Sequence, residues 1–204
     1  MGKNSLHNIQ IRFLAETQMI LDIFAQSMIL SHSQSNFCRE MCAIRLYDAW
    51  ARFCRELILI SAVEKPITIS GRILPAAPSI RKRKDVIIKL CGIHKKQFGY
   101  WEPNWKNPTE CIKAANDLLL ANRVDIGNGI GLSPSPIENL RRIRNFCAHR
   151  KEETANYLNA ICRNLGINGK YSAREIIAHI IPPGHSVFED WVYQIRTMVH
   201  IAMQ

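Results

Sequence analysis

The sequence lacks long hydrophobic runs and paired cysteines, and these two absences exclude several classes of protein. No apolar run approaches the length of about 18 residues that marks a membrane-spanning helix. The chain begins with MGKNSLHNIQ, which has neither the apolar core of a secretion leader nor a myristoylation pattern. The seven cysteines show no paired spacing, so a disulfide framework is not expected. We therefore expect a protein of the reducing cytoplasm with no membrane segment.

Acidic residues are scarce relative to basic ones. The 204 residues include 17 Asp and Glu against 27 Lys and Arg, so the formal net charge is +10. Such a surplus favours an anionic partner, of which nucleic acid is the most common and an acidic membrane surface is the alternative. A high pI with no anionic partner also fits, so charge alone favours nucleic acid without identifying it.

Metal-ligand and dinucleotide patterns are also missing. Cys91 and His94 form half of a metal-ligand spacing, but no second pair completes it. The glycines at 127, 129 and 131 make no dinucleotide fingerprint, because no strand–helix–strand pattern surrounds them. We predict no metal site and no cofactor.

The sequence does contain apolar residues at helical spacing, which predict an all-α protein. Two long helices are predicted over about 5–31 and 36–63, joined by a short turn and therefore antiparallel. A loop-rich insertion follows over about 65–106, where prolines and glycines interrupt the pattern. It includes a predicted short strand at 67–69 and a short helix at 81–93. The predicted architecture is a single domain over residues 1–204, a helical bundle with two long antiparallel helices and several shorter ones.

Helix-start signals divide the rest of the chain into shorter helices. Such a signal is a capping Ser or Asn with Pro or an acidic residue in the first turn. The glycine-rich segment 125–131 is predicted to end the first of these helices. The predicted helices begin at Asn107, Ser135, about residue 153, Ser172 and Ser186.

A basic stretch, RRIRNFCAHR, occupies residues 141–150 of the helix predicted from Ser135. Arg144 falls about 70° from the centre of the apolar stripe, at the border of the buried face. Burial of a guanidinium there costs free energy unless a partner on another helix or a bound phosphate pairs with it. The apolar stripe consists of Leu140, Ile143 and Cys147.

Arg144, Asn145 and His149 together suit the chemistry of phosphodiesters. Asn145 and His149 lie one turn apart, so the amide can reach the imidazole. Arginine presents a planar fork to phosphate oxygens, and histidine exchanges a proton near neutral pH. RNA carries its own nucleophile, the 2′-hydroxyl, so a metal-bound water is not required. By spacing alone, a basic helix face with one solvated histidine fits better, because Arg and His five residues apart often occur by chance.

Arg144-Asn145-x-x-x-His149 resembles the R-x(4–6)-H motif of the HEPN superfamily, in which a polar residue usually follows the arginine. The position of the motif, late in a helix that follows two long antiparallel helices, is also typical of this family. Residues 46–62, LYDAWARFCRELILISA, resemble the early helix of several HEPN nucleases, where Trp and Arg lie mid-helix. The layout is similar over most of the chain, whereas the specific similarity is confined to residues 141–150.

The resemblance implies an all-α HEPN-type bundle that dimerises so that two motifs face one cleft. Family members are largely ribonucleases, and many are toxins or defence effectors that cleave tRNA or other host RNA. Arg144 would bind or polarise the scissile phosphate, His149 would be the general base or acid, and Asn145 would hold His149 or the phosphate. HEPN toxins silenced by nucleotide addition carry Tyr two residues after the histidine. Lys151 occupies that position here, which argues against this mode of control.

Two groups of basic residues are candidates for binding the RNA backbone. One of them, at residues 81–84, fits a solvated loop equally. Nearby aromatic residues, Tyr100, Trp101 and Trp105, would either stack on unpaired bases or fold onto the core. The first group flanks the motif and the second lies in the insertion: Arg141, Arg142, Arg150 and Lys151, and Arg81, Lys82, Arg83 and Lys84.

These observations predict a cytoplasmic, homodimeric, metal-independent endoribonuclease that acts as a toxin or defence effector. Its expected partners are RNA, with tRNA among the candidates, a second copy of the chain, and a neutralising or regulatory protein. Two alternatives stay open: a non-catalytic RNA- or nucleotide-binding HEPN module that regulates a partner, and a helical interaction protein. The complete Arg–Asn–His set favours catalysis over both.

Overall fold

The computed structural model describes residues 6–63, 65–78, 80–93, 102–169 and 171–204. Of these residues, 72% are helical, which confirms the predicted predominance of helix. One short 3₁₀ turn, Ser27–Ile29, and one hairpin of two strands, β1 (Ile180–Ile181) and β2 (His185–Ser186), interrupt the helices. The helices within the described ranges are α1 (Leu6–Gln26), α2 (His32–Val63), α3 (Arg83–Ile93), α4 (Pro108–Asp117), α5 (Arg123–Ile130), α6 (Ser135–His149), α7 (Glu152–Asn164), α8 (Ala173–Ala178) and α9 (Val187–Ala202).

The two long helices, α1 and α2, pack against each other in antiparallel directions, as predicted. The rings of Phe13 and Phe53 lie 5.2 Å apart between centroids. Further along α1, the carbonyl of Ile20 accepts a hydrogen bond from the thiol of Cys42 at 3.7 Å. Later positions of α1 therefore face earlier positions of α2. Burial of each large apolar side chain along this seam stabilises the pair by about 1.5–3 kcal/mol.

The turn between these helices lies earlier in the chain than predicted, at residues 27–31. Ser27 Oγ donates to the Phe24 carbonyl at 2.6 Å where α1 gives way to the 3₁₀ turn. The carbonyl of Ser31 accepts from the amide of Ser35 at 2.8 Å, which is the first backbone hydrogen bond of α2. The predicted turn residues 32–35 are thus the first turn of the helix.

The chain divides into two compact units, each built from distant segments. The first unit comprises Met1–Leu14, Trp50–Pro134 and Arg196–Gln204, and the second comprises Ala15–Ala49 and Ser135–Ile195. Helices α1, α2 and α9 contribute to both. The prediction of a single domain over residues 1–204 stays a prediction.

In the first unit, the insertion contains less strand than predicted. A single bridge between Ile67 and Ile73 replaces the predicted strand, and α3 forms near its predicted bounds. Trp105 is buried and donates its indole N–H to Glu102 at 2.8 Å, which fits folding onto the core. Tyr100, Trp101 and His94 lie outside the described residues.

The prediction that a glycine-rich segment ends a helix at residues 125–131 is wrong. Asn107 caps α4 by accepting from the Thr109 amide at 3.0 Å, as predicted, but α4 ends at Asp117. The glycine-rich segment forms α5 instead. A Cβ atom at Gly129 would overlap the backbone of Ala202. Glycine therefore allows α5 and the end of α9 to approach more closely than a side chain would permit.

In the second unit, α6 packs against α7 and α8, and capping residues fix the helix starts. The amide of Ser172 donates to Glu175 at 2.7 Å, and that of Ser186 donates to Glu189 at 2.7 Å. Both starts are as predicted. Trp191 is buried in α9.

The cysteines behave as small apolar residues, as their positions predict. All seven are free, and Cys42, Cys54 and Cys162 are buried, while Cys38 is half-buried. Burial raises the pKa of Cys42 to about 11, so its thiol stays protonated at neutral pH. Among the described helices, none is both long and apolar enough to cross a bilayer.

Candidate active site

The motif lies on the last turns of α6. Ile137, Leu140 and Ile143 are buried and anchor one face of this helix. Arg144 is half-buried at the border of that face, as the helical spacing predicts. His149 is exposed and is the last residue of the helix.

The guanidinium of Arg144 contacts Asn145 rather than a carboxylate. Its Nη1 donates to Asn145 Oδ1 at 3.3 Å, a long hydrogen bond that uses one of the five N–H donors. Among the described residues, no carboxylate lies within ion-pair distance of Arg144. The helical spacing predicts that the positive charge of Arg144 requires a partner. This charge is therefore available for an anion such as phosphate.

Tyr47 of α2 lies beside the arginines of α6. Burial raises the pKa of the Tyr47 hydroxyl, and the neighbouring Arg141 and Arg144 act in the opposite direction. The phenol is therefore neutral at physiological pH.

His149 is not brought to Asn145 as the spacing suggested. The hydrogen bond of Asn145 goes to Arg144, and within the described part of the chain none joins either residue to His149. Arg150 follows with a φ of +45° and donates its amide to the Phe146 carbonyl at 2.8 Å, which ends the helix. His149 therefore stands at the end of α6, open to solvent and to a substrate.

Glu138 pairs with two of the predicted RNA-binding arginines. Arg141 donates to both of its carboxylate oxygens at 2.7 and 2.6 Å, and Arg142 donates to one at 3.1 Å. These bonds, Arg141 first, hold the pKa of Glu138 below its usual range. Glu138 therefore engages these arginines and does not cap the helix start, although α6 begins at Ser135 as predicted. Arg141 and Arg142 consequently offer less net charge to RNA than their number suggests.

Beyond the motif, Arg150 lines a cleft of about 300 Å³ that the sequence did not reveal. Arg150 Nη2 donates to Glu40 Oε2 at 3.3 Å. Glu40 also accepts from the thiol of Cys147, whose pKa burial raises to about 12. Lys151, the last predicted residue of this group, is exposed and precedes α7. The walls of this α2 cleft are His32, Ser33, Asn36, Phe37, Glu40, Arg150 and Arg174.

The second basic group, Arg81–Lys84, lies in the first unit, whereas the motif lies in the second. All four side chains are exposed, but Arg83 pairs with Glu56 at 3.1 Å. The amide of Lys82 donates to Asp85 at 3.0 Å where α3 begins. The side chains of this group therefore offer exposed positive charge, which the ion pair with Glu56 reduces at Arg83.

Replacement of Arg81, Lys82, Arg83 and Lys84 by Gln is expected to flatten the salt dependence of RNA binding. For each phosphate that is no longer neutralised, the slope of log K against log salt should fall by about 0.7 for a single strand. The measurement is an RNA titration at several salt concentrations, with Lys65→Gln and Lys113→Gln, two exposed lysines of the same unit, as the control. An unchanged slope would identify the group as a solvated surface.

The described residues contain no group of three or more His, Cys, Asp or Glu that could hold a metal ion. Comparison of the chain with protein-family models, curated proteins and solved structures finds no match.

Proposed function

We propose that this protein is a metal-independent endoribonuclease of the HEPN type, with Arg144 and His149 as its catalytic residues. The observation that carries the proposal is the burial and pairing of these two side chains. Arg144 is half-buried without a carboxylate partner in the described part of the chain, and His149 is exposed at the end of the same helix. A structural arginine at such a border would be expected to have an ion-pair partner.

In the proposed reaction, the 2′-oxygen of the ribose attacks the adjacent phosphorus and the bond from phosphorus to the 5′-oxygen breaks. The products are a 2′,3′-cyclic phosphate and a 5′-hydroxyl. His149 removes the 2′-hydroxyl proton or protonates the leaving 5′-oxygen. Arg144 donates to the phosphate oxygens, whose negative charge increases in the transition state. Asn145 positions the Arg144 guanidinium through the hydrogen bond between them.

The remaining parts of the proposal concern partners and biological role. A second copy of the chain, tRNA or another RNA as substrate, and a neutralising or regulatory protein are expected from the HEPN resemblance. A toxin or defence role follows from the same source. The alternative is a non-catalytic HEPN module that binds RNA or a nucleotide and regulates a partner. It is distinguished by binding of RNA without cleavage.

RNA cleavage is expected to persist in excess EDTA. The nucleophile is part of the RNA, and the proposed charge stabilisation comes from Arg144, so no step requires a divalent ion. The measurement is incubation of the purified chain with total RNA, with and without chelator, followed by gel separation. The variant carrying both Arg144→Ala and His149→Ala controls for contaminating nucleases.

Loss of all cleavage in EDTA, with recovery on addition of Mg²⁺ or Zn²⁺, would contradict this mechanism. Binding of RNA with no cleavage under either condition would favour the regulatory module.

A further inference from the structure

The α2 cleft belongs to the same unit as the catalytic motif, and one of its residues directly follows that motif in the sequence. Arg150, the residue after His149, forms part of its wall. Its volume of about 300 Å³ is at the lower end of the range for small-molecule sites. The cleft is therefore large enough for one nucleotide and too small for a folded partner.

One side of the cleft suits a phosphate. Arg174, on α8, is half-buried and has no ion pair among the described residues. Hydrogen bonds from Ser172 hold the pKa of the neighbouring Glu175 below its usual range, with smaller contributions from Arg174 and His32. His32 and Ser33, the first residues of α2, line the same cleft, and a helix N-terminus favours negative charge. An anion is thus favoured on the Arg174 side.

The other side of the cleft suits a base. Phe37 is 66% exposed although it is a large aromatic residue, and its ring lines the cleft. Asn36 is only 8% exposed, lines the same cleft, and has no hydrogen-bond partner among the described residues. Its side-chain N and O atoms are not among the fully buried ones, so they can hydrogen-bond a ligand with polar edges in the cleft. Glu40 keeps phosphate away from this side and can accept a hydrogen bond from a base.

We propose that the α2 cleft binds one unpaired nucleotide of RNA, with the base stacked on Phe37 and the phosphate held by Arg174. The choice of RNA as the ligand rests on the function proposed above. The arrangement selects single strands, because in a duplex the base faces are already stacked on their neighbours. The cleft would hold a nucleotide beside the phosphate that the 2′-oxygen attacks, and so determine where the strand is cut.

The test measures binding by fluorescence anisotropy, with a labelled short single-stranded RNA and the full chain carrying His149→Ala to prevent cleavage. In this background, Phe37→Ala should weaken binding about tenfold, because the base no longer stacks on an aromatic ring. Phe37→Trp should retain the affinity. Arg174→Gln should lower the slope of log K against log salt by about 0.7. Arg163→Gln, which removes an exposed arginine from α7 outside the cleft, is the matched control.

A duplex of the same sequence is expected to compete less well than the single strand. Unchanged binding in both Phe37→Ala and Arg174→Gln, equal competition by the duplex, or no binding by the parent would each overturn the proposal. The wild-type chain is tested separately for cleavage of the same RNA. Cleavage with unaltered binding by the cleft variants would reject the cleft and keep the active site. Cleft-dependent binding without cleavage would keep the cleft and reject the nuclease.

Discussion

His149→Ala and Arg144→Ala are each expected to lower the rate of RNA cleavage by about 10²–10⁴. The first removes the group that transfers a proton, and the second removes the charge that balances the phosphate in the transition state. His149 is exposed and Arg144 is only half-buried, so both variants should fold. The rate is measured with a single defined RNA, and circular dichroism checks the helical content.

Two further variants test whether the planar guanidinium of Arg144 is required and whether the loss of activity is specific to the proposed site. Arg144→Lys keeps the positive charge but loses the planar fork, so it should recover only part of the rate. His185→Ala, which removes an exposed histidine from the hairpin of the same unit, should cleave like the wild type. Cleavage by His149→Ala at the wild-type rate would exclude His149 as the catalytic acid or base.

A mixture of the two inactive variants is expected to recover about a quarter of the wild-type activity if the site forms across a dimer. Arg144 and His149 are five residues apart, about 140° around one helix. Within the described chain no hydrogen bond links either Arg144 or Asn145 to His149, which stands at the helix end. Arg144 of one protomer and His149 of its partner could then contact one phosphate from both sides more easily than the two residues of a single chain. Half of the randomly exchanged dimers are mixed, and each mixed dimer has one complete site of two.

Subunit exchange is verified independently, with each variant carrying a different label. If exchange occurs and the mixture stays inactive, the site forms within one chain. That outcome would reject the shared site while leaving both residues catalytic. A chain that remains monomeric at the assay concentration would reject the homodimer itself.

Local signals in the sequence predicted the long helices and most helix starts. α1 and α2 carry regular apolar spacing over many turns, so their existence and antiparallel packing were predictable. Asn107, Ser172 and Ser186 cap their helices through hydrogen bonds to residues two or three positions away. Such bonds depend on neighbouring residues alone, so they can be predicted from the local sequence without tertiary information.

The errors arose where distant contacts decide the local structure. Glycines normally disfavour helix, but Gly129 allows α5 to approach the backbone of Ala202, a contact that no local pattern shows. Ser135 and Glu138 have the spacing of a capping box, but Glu138 forms ion pairs with Arg141 and Arg142 instead. A carboxylate with two charged donors nearby gains more from them than from a backbone amide.

The candidate site was predictable in part. Arg144 and His149 stood out because the segment around them resembles the HEPN motif, whereas their spacing alone favoured a solvated helix face. Asn145 was expected beside His149 and instead contacts Arg144, its neighbour in the sequence. The α2 cleft joins Asn36 and Phe37 to Arg150 and Arg174, residues more than 100 positions apart in the chain. A single sequence contains no signal for such a juxtaposition.

The chemistry of the cut ends tests the central claim most directly. The purified chain is incubated with a defined RNA in excess EDTA, and both ends of each product are mapped beside those of the His149→Ala variant. Attack by the 2′-hydroxyl predicts a 2′,3′-cyclic phosphate and a 5′-hydroxyl, formed by the wild type and absent with the variant. Products with a 3′-hydroxyl and a 5′-phosphate, or the same products from His149→Ala, would contradict the account.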